Sequence, residues 1–526
     1  MDGGSAKVTA EESTSGGAGD EGGGAVFDVD IIQYEPQLTA KVAKLRELFK
    51  DMAMPALEIH TSEPIHYRMR AEFTIWHEGE DLYFVMFDTT KGIRPAPRVR
   101  VDTFPVASKL INELMPILLD EARADKILGH KLFQVNFHTT LSGQAMLSML
   151  YHKKLDPLTW NQAAQRLRKA LALAPSFTGL GPDSQPAVEV QQSELEAEQS
   201  AAAAAPASAA AAAAPDDVVP EAAEAVASVA VAEGAAGQQQ PARPVNAKVV
   251  AAATAAASAT AVFLSGKLPL QELPHIIGRS RKQKITLDQE CVHESLQVND
   301  VRYIQKQVEG AFSQPNGGVC EKMLSWAQEV TRGSQAHDML ELYCGNGNFT
   351  VPLAGNFRRV VATEISKSSV DAARFNLTAA GLQDRVFLAR MSSEDFAEVW
   401  RTKGTKRRLE GLSWDTLDLR TVLVDPPRAG LDDFTVQLVA GFDRVVYISC
   451  NPETLHANLE VLTRTHDVTR FAGFDQFPYT RHFECGVYLV KRPVVAAAGE
   501  VAAVGEVAEV VVVEAAEEPV AAPVVV

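Results

Sequence analysis

The chain holds 526 residues, 67 of them acidic and 50 basic, for a net charge of −17 at pH 7. Length alone allows three or four domains. However, residues 1–26, roughly 183–262 and 493–526 are dominated by Gly, Ala, Val and Glu, carry no aromatic side chain and lack an amphipathic period, so they are expected to be disordered tails and a flexible insertion. Residues 1–30, 183–262 and 493–526 carry −6, −8 and −6, which leaves +3 on the remainder; the acidic total argues against a nucleic-acid partner, but the part that folds is mildly basic and keeps RNA in play.

The first thirty residues are acidic and lack an apolar run, so neither a secretory signal nor a basic transit peptide fits. Helical periodicity covers 36–50. Ala71 to Trp76 and Leu82 to Phe87 flank the polar His77-Glu78-Gly79-Glu80-Asp81, a β-hairpin pattern. A second helix over 106–123 and strands over 133–137 and 145–151 complete an α+β module, 27–182. We expect it to expose Tyr67-Arg68-Met69-Arg70, His130-Lys131 and His152-Lys153-Lys154, basic groups among aromatics as single-stranded RNA requires. A solvated face explains any one of these clusters equally well. The Ala runs at 201–214 and 249–262 are interrupted by Pro, Ser or Thr, and the tail by Glu514, Glu517 and Glu518, so no membrane span is expected. Five cysteines without paired spacing point to a reducing, cytoplasmic setting with neither disulfides nor a bound metal.

The second block, 263–492, reads as alternating strands and helices. Met339 to Leu342 is an apolar strand that enters Gly345-Asn346-Gly347 and then a helix; Arg359 to Thr363 is a strand ending in Glu364, seventeen residues after Gly347. Glycines at such a turn admit a ligand close to backbone, and an acid at the next strand tip accepts ribose hydroxyls. There is no G-x-G-x-x-G to seat a pyrophosphate, so a nucleoside without phosphates, S-adenosylmethionine, fits better than a dinucleotide. Further strands end at Asp425-Pro426-Pro427-Arg428 (after Thr421 to Val424) and at Ser449-Cys450-Asn451-Pro452; His482-Phe483-Glu484-Cys485-Gly486 precedes another, Val487 to Val490. A nucleophile, an acid and a second carboxylate thus converge on one cleft of an α/β sheet, although a free cysteine is more often a small buried hydrophobe. This succession looks like a class I methyltransferase, Rossmann-like core; a nicotinamide enzyme or an inert doubly wound domain remains open.

The stretches at 425–428, 449–454 and 482–486 resemble the signatures of the RNA 5-methyluridine methyltransferases. The likeness extends to Tyr67 to Phe73, Leu150 to Leu155, Phe312-Ser313-Gln314-Pro315-Asn316 and Phe474 to Tyr479, and it is strongest to the tRNA (uracil-5-)-methyltransferase type. The resemblance implies that Gln314, Tyr343, Asn348, Glu364 and Asp425 line the methyl-donor pocket. Cys450 would be the nucleophile, Glu484 the base, and Phe133 the aromatic that stacks on a loop base. It also implies a tRNA T-arm partner, with the uridine at position 54 as target, and we expect a monomer. Thr74 stands where that pattern carries a basic residue, and the Ala-rich insertion has no counterpart in it. Relatives acting on ribosomal RNA often carry a cysteine cluster or a small β-barrel at the N-terminus, and neither precedes Leu38; this favours tRNA. Ribosomal RNA methylation and a tRNA-folding module without essential catalysis are the competing readings.

Uracil C5 is a poor nucleophile. Thiolate addition at C6 makes C5 enolate-like, able to accept a methyl group, and a base must then remove the C5 proton so that sulfur can leave. Phe483 and Cys485 beside Glu484 are expected to raise its pKa.

Overall fold

The computed structural model describes residues 29–88, 96–178, 271–402, 404 and 406–493. The expected tails and the 183–262 insertion lie outside them.

Seventeen strands are present among the described residues. They are β1 (Leu57–His60), β2 (Arg70–Glu78), β3 (Asp81–Phe87), β4 (Arg98–Arg100), β5 (Leu132–Thr139), β6 (Ala145–Tyr151), β7 (His275–Ser280), β8 (Gln283–Leu287), β9 (Cys291–Val298), β10 (Val301–Val308), β11 (Asp338–Leu342), β12 (Val360–Glu364), β13 (Val386–Arg390), β14 (Leu419–Val424), β15 (Arg444–Ser449), β16 (His466–Phe474) and β17 (Glu484–Lys491). Eight form a sheet in the order β13-β12-β11-β14-β15-β17-β16-β1, all parallel except β17, which runs against both neighbours. The order reverses between β11 and β14, the topological switch point at which α/β sheets bind ligands.

Side-chain alternation makes this sheet two-faced. Leu340, Val422, Val424, Val445, Tyr447, Val487 and Leu489 share one core with Tyr34, Leu38, Leu45 and Phe49 of the N-terminal segment. Met339, Leu423, Val446 and Ile448 point into the other, with Met323, Leu324 and Trp326 of the helix Gly317–Val330. Burial on both faces explains the near-continuous apolar runs seen in sequence, since each residue meets helices whichever way it points. Each fully buried aliphatic or aromatic side chain contributes about 1.5–3 kcal/mol relative to exposure.

The second sheet runs β4-β3-β2-β5-β6-β7-β8 and is antiparallel except for the β6–β7 pair. The hairpin β2–β3 closes more tightly than the five-residue turn expected: Glu78 pairs with Asp81, and Gly79 takes φ +62° between them. Its covering helix is Lys109–Ala124, starting later than the expected 106 because Ser108 caps it, its Oγ accepting the Ile111 N–H at 3.1 Å.

Sheet membership does not follow the expected 27–182 and 263–492 blocks. β1 and the helix Tyr34–Leu48 belong with the eight-stranded sheet, whereas β7 and β8 complete the seven-stranded one. Local pattern identifies a strand but not its partner, which long-range register decides. A second difference concerns Tyr67-Arg68-Met69-Arg70, which is not the exposed basic cluster expected. Tyr67 and Met69 are buried, and the Arg70 guanidinium donates to Ala311 O at 2.8 Å and Ser313 Oγ at 3.2 Å, tying β2 to the approach of the large sheet.

Gly278 in β7 tests the packing. A Cβ there meets the Trp160 ring at 2.6–2.9 Å, and Trp160 is fully buried. Gly278→Ala should destabilise the protein by about 1–3 kcal/mol through overpacking, read as a lowered thermal midpoint; an unchanged midpoint means that the indole shifts freely.

Candidate active site

Five of the expected site residues sit at strand ends on one edge of the large sheet. Tyr343 follows β11, Glu364 ends β12, Asp425 follows β14, Cys450 follows β15, and Glu484 opens the antiparallel β17. The register Ser449↔Cys485 places Cys450 just past β15, opposite Glu484 at the first position of β17. The sequence reading put Glu484 ahead of this strand; it is the first residue of the ladder, paired with Phe474 on β16.

A cavity of about 540 Å3, counting its open mouth, lies over the β11 turn. Gln314, Tyr343, Asn348 and Asp425 line it, together with Glu294, Gln305, Phe312 and Cys320. Tyr343 holds a left-handed φ of +63°, and its hydroxyl accepts from Ser393 Oγ at 2.7 Å; such strain in a non-glycine residue persists only where surroundings impose it. Gly345 has φ +58° with nothing within 4 Å of where a Cβ would stand, a backbone cradle open to a ligand. Its N–H donates to Glu364 Oε2 at 3.1 Å, and Ser366 N to Oε1 at 2.7 Å, so Glu364 is fixed at the cradle's rim with acceptor capacity to spare. Asn348 accepts from the Cys320 thiol, and Gln314 accepts from Gln476 Nε2 at 2.7 Å. Burial lifts the Asp425 carboxyl to about 7. The open glycine cradle and this polar donor set fit S-adenosylmethionine.

Cys450 is half-buried, while Cys291, Cys320, Cys344 and Cys485 are buried. It opens on a cleft lined also by Lys41, Lys44, Arg428, Asn451, Glu453, Arg481, His482 and Phe483. Local chemistry fixes its place: Asn451 caps the helix Pro452–Leu462, its Oδ1 accepting the Glu453 N–H at 3.2 Å, with Pro452 at the first turn. Asn451 Nδ2 and Thr454 Oγ1 both donate to Arg428 O, joining this turn to the one after Asp425. Burial, then the Glu484 and Asp425 carboxylates, push the Cys450 thiol up to about 12, with Arg428 opposing. Burial and Asp425 likewise raise Glu484 to about 8. The Phe483 ring beside it occupies the space of a missing side chain, since a Cβ on Gly473 meets that ring at 2.5 Å. The thiol is thus accessible but protonated at rest, not the preformed thiolate of an open polar pocket.

Phe133 is not in this cleft. It lies at an irregularity in the β5–β6 register, between Leu132 and Gln134, and stacks on His152 with ring centroids 3.9 Å apart. Such bulges re-aim side chains. The pair lines a separate groove with Lys153, Lys154, Arg279, Arg281 and Lys282, and no carboxylate is among its lining residues. Among the described residues no cluster of three or more His, Cys, Asp or Glu is arranged to hold a metal, and no helix is long and apolar enough to cross a membrane. Sequence reading missed Lys41 and Ser393, and it noted Asp475 and Gln476 only within the stretch Phe474 to Tyr479, without a role; Lys41 resembles any solvent-facing lysine of an amphipathic helix, and only its tertiary partner marks it.

The sequence profile of tRNA (uracil-5-)-methyltransferase matches residues 33–177 and 254–492. The tRNA/tmRNA (uracil-C(5))-methyltransferase of Shewanella loihica is 42% identical over 464 residues, 88% of this chain and 99% of its own. That of Aeromonas hydrophila is 41% identical over 460 residues, covering 87% and 94%. Among solved structures, the Pyrococcus abyssi tRNA (uracil-54, C5)-methyltransferase in complex with S-adenosyl-L-homocysteine shares the fold at a TM-score of 0.51 and 16% identity, covering 87% of this chain and 83% of its own. The chain belongs to the tRNA (uracil-5-)-methyltransferase family.

Proposed function

We propose that the protein methylates C5 of uracil in tRNA from S-adenosylmethionine, at the T-loop uridine of position 54, through a covalent adduct between Cys450 and C6. The observation that carries this reading is the meeting of the one half-open cysteine with the buried Glu484 at adjacent strand ends, next to a cavity into which Asp425 faces.

When bound, S-adenosylmethionine would supply an electrophilic methyl group on a positive sulfur. Gln314, Tyr343, Asn348 and Asp425 would form its walls, and Glu364, fixed beside Gly345, would accept its ribose hydroxyls. Cys450 Sγ, its proton given up to solvent, adds to C6, and the C5–C6 double-bond pair becomes available at C5 to form the bond to the methyl carbon, whose former bond to the donor sulfur would break with its pair on that sulfur to leave S-adenosylhomocysteine. Glu484 then accepts the C5 proton. The C–H pair restores the ring double bond, and the C6–S pair returns to sulfur as the Cys450 thiolate leaves. A carboxylate lifted to about 8 is a strong enough base for this step while remaining partly ionised near neutrality. Phe133 and its groove hold the RNA, offsetting the few kcal/mol lost when the target base leaves its stack.

Trapping separates the two catalytic residues. With labelled methyl donor and a tRNA transcript, Cys450→Ala should give neither methylation nor adduct. Glu484→Gln should accumulate methylated RNA bound to protein through denaturing electrophoresis, and a transcript with cytidine at position 54 should give no product with either variant or the parent. Adduct absent from Glu484→Gln while RNA and donor still bind removes Glu484 from the role of base.

Because Glu484 must be ionised and Cys450 must lose its proton, and both are shifted upward, turnover should increase as pH rises toward about 8 and fall on the acid side. A profile flat from about pH 6 to 8 contradicts the assignment. Phe133→Ala should weaken tRNA binding by about 1–3 kcal/mol and leave donor affinity unchanged; equal losses in both affinities would show that the groove is not a separate RNA site.

A further inference from the structure

The nine-residue connection between β16 and β17, residues 475–483, leads directly into Glu484. Its first residue, Asp475, is fully buried, and its partner is Lys41 of the helix Tyr34–Leu48, itself 8% exposed. Lys41 Nζ donates to Asp475 Oδ1 and to Phe477 O, both at 2.7 Å. One helical turn earlier, Gln37 Nε2 donates to Asp475 Oδ2 at 3.1 Å, and Gln37 Oε1 accepts the Tyr479 N–H at 3.3 Å. Tyr67 Oη donates to Pro478 O at 3.1 Å. The connection is therefore held at 475, 477, 478 and 479 by groups far away in sequence. Lys41 also lines the Cys450 cleft, 5.9 Å from the centroid of the Phe483 ring that lies against Gly473.

A buried ammonium–carboxylate pair is a poor device for stability alone, because desolvation consumes most of its attraction and an apolar pair of similar volume often does as well. What it supplies is a fixed geometry: two charge-assisted hydrogen bonds of one ammonium define where the chain turns before β17.

We propose that Lys41 is a positioning residue for the removal of the C5 proton, holding connection 475–483 so that the Glu484 carboxyl meets the methylated adduct. This rests on the covalent reading above. The step it governs is the last one: the C5–H bond breaks toward Glu484, its electron pair re-forms the C5–C6 double bond, and the C6–S bond breaks with its pair on Cys450 Sγ. Lys41 touches none of the reacting atoms and acts only through the connection. Addition and methyl transfer depend on Cys450 and the donor cavity, so they are affected less.

The test uses the full chain and a labelled methyl donor. Lys41→Met should methylate its tRNA but release it at least about tenfold more slowly, since small displacements of a catalytic group cost this much or more. The methylated protein–RNA adduct should build up on denaturing gels, with the KM for the donor within about threefold of the parent. Lys41→Arg, which keeps the charge and reaches Asp475, should restore part of the release rate. If Lys41→Met does not fold, Gln37→Ala, which buries no orphaned charge, should show a smaller accumulation in the same direction. Release at the parental rate, or parallel losses of adduct formation, donor binding and release, overturns the proposal. Glu484→Gln in the same assay keeps the two readings apart: adduct with Glu484→Gln but none with Lys41→Met or Gln37→Ala rejects only the role of Lys41, whereas no adduct with Glu484→Gln removes the base assignment and this inference with it.

Discussion

The site depends on one reversed strand. β17 lies between β15 and β16 and runs against both. In a wholly parallel sheet every strand would present its carboxyl end to the cleft; here one strand presents its first residue, so the C-terminal end of β15 and the N-terminal end of β17 share an edge. Ser449 faces Cys485, which leaves Cys450 and Glu484 as neighbours across that edge. A slip of one residue would turn Glu484 to the opposite face, so the apolar alternation of β17, with Val487 and Leu489 on one face and Tyr488 on the other, also fixes the direction of the carboxyl.

Asp338 and the pair Asp425 and Glu484, at opposite ends of the sheet, behave oppositely. Asp338, at the start of β11, is completely buried, and burial alone would raise it; the Arg358 guanidinium, 2.6 Å away, and the Asp418 N–H hold it below the usual carboxylate range. At the other end, Asp425 and Glu484 have burial but no ion pair among the described residues, and both are raised. The contrast separates structural acids, whose charge is satisfied by the fold, from acids left to be satisfied by a ligand or to exchange a proton. The unfavourable burial of Asp425, Glu484 and the Cys450 thiol is sustained by the two apolar faces of the sheet.

What was legible in sequence was local. Apolar runs ending at Cys450, Asp425 and Glu364 located strand tips because sheets buried on both faces leave continuous hydrophobic runs that stop abruptly. Pairing was not. Nothing in Leu57 to His60 shows that it adds to the edge of β16, or in His275 to Ser280 that it lies beside β6. Arg70 reads as an RNA contact until Ala311 and Ser313 are brought to it by the fold, and Phe133 gains its stacking position from a register shift that leaves no mark in composition.

Connection 475–483 shows why those non-local features matter for chemistry. Gln476 donates to Gln314 on the donor cavity, Pro478 accepts from Tyr67 before β2, and the chain then enters Glu484. The helix Tyr34–Leu48 braces the same segment, and it does so because β1 commits the N-terminal stretch to the edge of the large sheet before the chain leaves to build the seven-stranded one. The order of the elements thus gives the catalytic edge a support from the start of the chain, which no contact within the β11–β17 region alone supplies. A carboxyl that must be unpaired to act as a base cannot be held by its own hydrogen bonds, so its position has to be set by the backbone leading into it.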